Sequence, residues 1–251
     1  MRKGFMKAIT TTILLLPLIL VGCTPTGESA LREFKTEAHG AFTANSQSAA
    51  TSPQALQPAR LDPATRMTIQ EYGHVIKANA ERYGFDWRLV LAVMKQESGY
   101  YHDAESHKGA RGLMQIMPTT SYELAEQLGI EDLNHPSENI RGGIYYLRQL
   151  YDYFDGLEEE ERLKLSLAAY NAGIARIYDA QELAAYLHND PGRWESIKGA
   201  LPLLSKRYYT LHRNVWEDER PRAGWFGNAG ETVSYVENIM RSYDQMKLAL
   251  N

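Results

Sequence analysis

The chain has 251 residues, 44% of them apolar and 23% charged, which is enough to bury a sizeable core in one domain with additions around it. A formal net charge of −4 argues against nucleic acid as a partner. Four Trp and 16 Tyr are a generous aromatic supply, able to fill a core or to stack on sugar rings.

Residues 1–22 read as a lipoprotein signal peptide rather than as part of the fold. Arg2, Lys3 and Lys7 supply positive charge ahead of an apolar run from Ile13 to Val21, which is too short for a comfortable membrane span. The run ends Leu20-Val21-Gly22-Cys23, similar to a bacterial lipobox, and Cys23 is the only cysteine. The expectation is lipidation at Cys23 and a membrane anchor, with Thr24 rather than Asp next to it suggesting the periplasmic face of the outer membrane. An ordinary secretory signal with an incidental Cys is the plainer alternative. Residues 23–60, rich in Thr, Ser, Ala, Gln and Pro, read as a flexible tether spanning roughly 30–35 Å.

From residue 61 to 251 the pattern is helical. Asp62 caps a helix with Pro63 in its first position, Tyr72, Val75, Ile76 and Asn79 along one face, and Gly84 at its end. Asp86 caps the next, Trp87 to about Ser98. Pro118 opens a helix that Gly129 closes. Pro136 opens the longest, with Ile140, Ile144, Leu147, Tyr151 and Phe154 in register. Gly142 and Gly143 inside it would each cost about 1 kcal/mol against Ala, which predicts close approach of another helix. The acidic run Glu158–Glu161 suits a helix start, and that helix runs to Tyr170. Residues 174–187 and 194–209 are predicted helical. The segment from His212 to Gly230, with Trp216, Trp225 and Phe226, has no periodicity and could wall a groove or cover the core. A last helix from about Glu231 to Leu250 carries Val233, Val236, Met240 and Tyr243. No segment alternates for long, so the fold class is mostly α.

One acidic residue stands out. At ~100° per residue, Glu97 lies only ~20° round its helix from Val90, and it follows Val93 and Met94 at helical spacing, so its carboxyl should emerge on the buried stripe. A carboxylic acid there is desolvated, its pKa rises, and it can hold a proton near neutral pH, as a general acid must. The plainer reading is a helix-ending Glu before a turn. Metal and nucleophile chemistries have little support, because there is no H-E-x-x-H, no G-x-S-x-G and no Gly-rich phosphate loop.

The string around Glu97 carries more. Glu97-Ser98-Gly99-Tyr100, then Ser106, then Gly109-Ala110-Arg111-Gly112-Leu113-Met114-Gln115-Ile116-Met117-Pro118 resembles the signature of the family 1 lytic transglycosylases, the soluble-lytic-transglycosylase-like enzymes related to goose-type lysozyme. Ala169-Tyr170-Asn171-Ala172-Gly173 and Glu231-Thr232-Val233-Ser234-Tyr235-Val236 are similar to two further family blocks in the family's order. Residues 194–204 look like the catalytic half of the membrane-bound lytic transglycosylase F subfamily, although this chain has no room for that subfamily's amino-terminal domain.

The resemblance implies a lysozyme-like multi-helix domain over residues 61–251, with a groove for peptidoglycan glycan strands. It implies cleavage of the N-acetylmuramic acid–N-acetylglucosamine bond without water, leaving 1,6-anhydro ends, with Glu97 as acid and then base and no second carboxylate. Asp103 and Glu105 accordingly read as solvated loop residues. Substrate contacts are implied for Ser106, Gln115, Tyr170, Asn171, Glu231 and Tyr235. Each has a plainer role too: a turn for Ser106, a loop brace for Gln115, core for Tyr170, a helix C-cap for Asn171, and a helix-start charge for Glu231. No cofactor or metal is implied, and nothing indicates an oligomeric state. A hydrolase similar to goose lysozyme and a non-catalytic wall-binding lipoprotein are the rival readings.

Overall fold

The structure is a computed structural model and describes residues 61–250. The signal peptide, Cys23 and the tether therefore lie outside the described residues. Nine α-helices carry the described chain: α1 (Pro63–Tyr83), α2 (Trp87–Ser98), α3 (Pro118–Leu128), α4 (Pro136–Asp152), α5 (Glu159–Ala172), α6 (Ile174–Tyr186), α7 (Trp194–Ala200), α8 (Tyr209–Val215) and α9 (Ala229–Ala249). Among the described residues there is no β-strand, only isolated bridges from Arg111 to Glu105 and Ile116. No described helix is long and apolar enough to cross a membrane.

Capping chemistry fixes several helix ends where the sequence places them. The Asp62 carboxylate accepts from the Thr65 N–H at 2.9 Å, and the Asp86 carboxylate from the Arg88 N–H at 2.9 Å. Gly84, Gly99 and Gly129 close α1, α2 and α3 in the left-handed conformation. At the centre is α2, whose residues Leu89 to Met94 are all buried. It packs along α9 on one side and α1 on another, while α4, α5 and α6 continue the bundle in chain order.

Several expectations are corrected. The helix expected over 194–209 stops at Ala200 and passes through a 3-10 turn, Leu201–Leu204, because Pro202 has no N–H to offer the Lys198 carbonyl. The segment expected to lack structure from His212 begins inside α8, and α9 starts two residues early, at Ala229. The close approach at Gly142 and Gly143 is to a loop rather than to a helix. A Cβ on Gly143 would sit 2.5 Å from Met114, and one on Gly142 would sit 2.6 Å from Leu133. On α1 the buried line is Thr65, Thr68, Gly73, Ile76 and Ala80, with Tyr72 and Val75 half-buried beside it. On α9 it is Thr232, Tyr235, Val236, Ile239 and Met246, so Val233, Met240 and Tyr243 lie on its flank rather than its centre.

Candidate active site

Glu97 leaves the last turn of α2, just ahead of Gly99 (φ +60°). The residue keeps part of its surface open, but its carboxyl is surrounded by protein. Tyr235 on α9, only 4% exposed, donates its hydroxyl to Glu97 Oε1 at 2.5 Å. Burial pushes the Glu97 pKa up to about 7, and the Tyr235 hydrogen bond, which favours the charged form, only partly opposes it. Oε1 is thus occupied as an acceptor, and a proton on Glu97 belongs on Oε2. Both forms of the acid are then present near neutral pH.

The loop 99–117 follows directly from this helix end. Tyr170, near the end of α5, donates its hydroxyl to the Met114 carbonyl at 2.8 Å and stacks obliquely against Tyr146 at 5.2 Å. Burial, then the nearby Glu97 charge, drives the Tyr170 and Tyr235 hydroxyl pKa values far up, so both remain donors. Ser98, next to Glu97, donates to the Leu113 carbonyl at 3.0 Å and accepts the Tyr100 N–H at 3.1 Å, tying the helix end to the loop.

Asn139, 1% exposed on α4, is the residue that sequence reasoning missed. Its Oδ1 accepts from the Met114 N–H at 2.8 Å, while its Nδ2 donates to the Arg111 carbonyl at 3.1 Å and the Leu133 carbonyl at 3.0 Å. Its only signal in the sequence was an amide just before Ile140 on the buried face. Gly112 (φ +79°) lies directly against it, and a Cβ there would come within 2.5 Å of the Asn139 amide.

The remaining expected site residues divide. The Ser106 hydroxyl accepts from the Ala110 N–H at 2.9 Å and closes its own turn. Gln115, in the left-handed region at φ +46°, donates to the carbonyls of Ala104 and Gly112, both at 3.0 Å, and so braces the loop. Asn171 is exposed in the last turn of α5 and does not cap it; Gly173 follows as the cap. Its Oδ1 accepts from Thr232 at 2.8 Å, leaving its amide N–H groups free to point elsewhere. Glu231 is exposed in the first turn of α9 and accepts from Asn228 at 3.2 Å. Asn171 and Glu231 line one cleft together with Lys108, Arg176, Trp225 and Phe226. Tyr235 thus reaches Glu97 itself and Tyr170 the loop that follows it, while Asn171 and Glu231 line the cleft beside them. No hydrogen bond among the described residues joins Ser106, Gln115, Asn171 or Glu231 to Glu97. Asp103 and Glu105 are exposed, the latter paired with Arg111 at 3.2 Å. No group of three or more His, Cys, Asp or Glu among the described residues could hold a metal ion.

Residues 74–191 match the family described as the transglycosylase SLT domain. A membrane-bound lytic murein transglycosylase F of Desulfosudis oleivorans is 37% identical over 180 residues, covering 71% of this chain and 37% of that protein. Its namesake from Cellvibrio japonicus is 33% identical over 178 residues, covering 70% of this chain and 33% of its own length. The chain therefore spans about a third of the curated relatives it matches. The crystal structure of the soluble lytic transglycosylase Slt70 from Escherichia coli has the same fold, with a TM-score of 0.50 at 20% identity over 89% of this chain and 35% of that one. Through residues 74–191 the chain belongs to the transglycosylase SLT family.

Proposed function

We propose that this protein is a peptidoglycan lytic transglycosylase and that Glu97 is its acid and base. The observation that carries the reading is the Glu97 carboxyl, enclosed at the end of the central helix and held by one tyrosine hydroxyl, where burial pushes its pKa up to about 7. Membership of the SLT family and relatives named lytic murein transglycosylases support it.

Glu97 Oε2 would donate its proton to the glycosidic oxygen between N-acetylmuramic acid and N-acetylglucosamine as that bond breaks. The carboxylate left behind then takes the proton of the muramoyl C6 hydroxyl, whose oxygen bonds to the anomeric carbon and closes a 1,6-anhydro ring. One group suffices for both transfers because its pKa lies near the working pH. The nucleophile belongs to the same sugar, so proximity replaces an enzyme-held water. Tyr235 fixes which oxygen carries the proton, and Tyr170 holds the adjoining loop through the Met114 carbonyl. Ser106, Gln115, Asn171 and Glu231 are proposed as the surrounding groove, the first two by shaping the loop they brace.

Glu97→Gln keeps the shape and removes the titrating proton. Lysis of purified sacculi by this variant should fall by about 10²–10⁴-fold or more, with binding retained. The parent's products, analysed by mass, should end in 1,6-anhydromuramic acid. Reducing-end muramic acid would instead indicate a hydrolase, and undiminished lysis by the variant would remove Glu97 from the chemistry. We further propose that Cys23 anchors the protein by lipid to the periplasmic face of the outer membrane. Cys23→Ala should then move it from the detergent-extracted membrane fraction to the soluble one, and unchanged fractionation would contradict the anchor.

A further inference from the structure

A second pair of acidic side chains lies apart from Glu97. Asp179 and Glu182 stand one turn apart on α6 and face residues 216–228, which have no regular structure until α9 begins. Asp179, 2% exposed, accepts from the backbone N–H of Arg222 at 3.1 Å and of Ala223 at 2.8 Å. Glu182 accepts from the Trp216 indole N–H at 2.9 Å and pairs with Arg222 at 3.1 Å. Farther along, the Phe226 N–H donates to the Leu204 carbonyl at 3.1 Å. An irregular segment is thereby pinned at its beginning, middle and end.

His212 lies beneath it, fully buried. Its Nε2 is 2.7 Å from the Leu203 carbonyl, and since a carbonyl only accepts, Nε2 carries the proton; Nδ1 is buried without a partner. Burial pushes the His212 pKa down, so the neutral ring packs as an aromatic, 5.4 Å from Trp216 and 5.0 Å from Trp225. Trp216 and Phe226 turn inward at 4% and 8% exposure. Trp225 stays 38% exposed and lines the cleft that holds Asn171 and Glu231. That cleft adjoins the Glu97 site. Asn171 directly follows Tyr170, and Thr232 precedes Tyr235 by three residues, about 4.5 Å along the helix. A saccharide ring has an apolar C–H face and a polar rim, and an indole backed by a rigid ring with amide and carboxylate groups nearby suits both.

We propose that residues 216–228 form one wall of the glycan groove, that Trp225 is the sugar-contacting residue of this wall, and that Asp179 and Glu182 are positioning residues that hold it. This rests on the reading that the cleft beside Glu97 takes a glycan strand. Pinning the wall before binding spares the ordering cost that a loose segment would incur when sugar arrives.

The test measures binding of N-acetylglucosamine oligomers to the full chain in the Glu97→Gln background, with lysis kinetics on sacculi in the Glu97 parent. Trp225→Ala should weaken oligomer binding by roughly 5–10-fold and raise KM with kcat within about twofold. Asp179→Asn leaves one good acceptor for two N–H groups and should weaken binding by a comparable factor. Combined with Trp225→Ala it should add little, since both act through the same contact. Gly224→Ala is a second route should Asp179→Asn fail to fold. A Cβ there meets nothing within 4 Å, yet its φ of +80° strains any other residue, so it disturbs the wall without a clash. Its effect should likewise vanish in the Trp225→Ala background. Binding unchanged in Trp225→Ala, or additive losses in the double variants, would overturn the wall while leaving a parent that lyses sacculi intact. A parent that neither binds nor lyses would overturn the groove reading itself.

Discussion

The two ends of α2 carry two carboxylates that meet opposite fates. Asp86, at the start, and Glu97, at the finish, each receive a tyrosine hydroxyl from α9: Tyr243 at 3.0 Å and Tyr235 at 2.5 Å. Burial acts to raise the pKa of both. At Asp86 it is overcome by hydrogen bonds from the Arg88 guanidinium, by the Arg88 backbone N–H and by Tyr243, and the pKa falls below its usual value. At Glu97 no cation contributes, burial is deeper, and the pKa rises to about 7. A neutral hydroxyl donor is therefore too weak to keep a buried carboxyl ionised, whereas a charged fork is strong enough. Asp86 becomes a fixed helix cap, and Glu97 a group that can give and retake a proton.

The largest effect expected from this contrast is the loss of sacculus lysis in Glu97→Gln, about 10²–10⁴-fold or more, against a kcat within twofold of the parent for Asp86→Asn. Stability should move the other way. A carboxyl whose folded pKa is raised opposes folding once pH exceeds its unfolded value of 4.5, and increasingly so up to about 7. Glu97→Gln should consequently be more stable than the parent at pH 8, by roughly 2–3 kcal/mol, and equal to it near pH 4, as denaturant melts at the two pH values would reveal. A constant difference across that range would mean that Glu97 is not desolvated.

Tyr235→Phe removes the single group favouring the charged carboxyl. The Glu97 pKa should rise further, shifting the alkaline limb of the kcat/KM profile to higher pH, with kcat down by roughly tenfold because the proton's place is no longer fixed. An unmoved limb would show that the hydroxyl does not sense the carboxyl. Smallest is the effect of Asp86→Asn on stability, a loss of about 1 kcal/mol near neutral pH. Because the folded Asp86 pKa is depressed, its contribution is present above the unfolded pKa of 3.8 and disappears as pH falls through the folded value. Its sign is thus opposite to that of Glu97, and melts at pH 7 and pH 2 would separate them.

Much of this was legible along the chain because it is local. Asp62 and Asp86 announce helix starts, Gly84 and Gly129 announce ends, and Val90, Val93 and Met94 point Glu97 inward within two turns. What was not legible is distant. Tyr235 reaches Glu97 across 138 positions, so its hydroxyl contact could not be read from spacing. On α9 the expected face of Val233, Val236, Met240 and Tyr243 meets the buried centre only at Val236, which shares it with Ile239 and with Tyr235, an aromatic whose polar tip finds its partner in the distant Glu97. Asn139 anchors the loop through partners 25 and 28 residues away, and Gly143 opens space for Met114 rather than for a helix. The clamp of Asp179 on residues 222 and 223 spans more than 40 positions and left no local pattern at all.

The most direct test is a pH titration of the side-chain carboxyl carbons of Glu97 and Asp86 by 13C NMR in the same sample. The account predicts a midpoint near 7 for Glu97 and one below 3.8 for Asp86. A Glu97 midpoint near 4.5 would contradict it, since a carboxyl ionised across the working range has no proton to give a glycosidic oxygen.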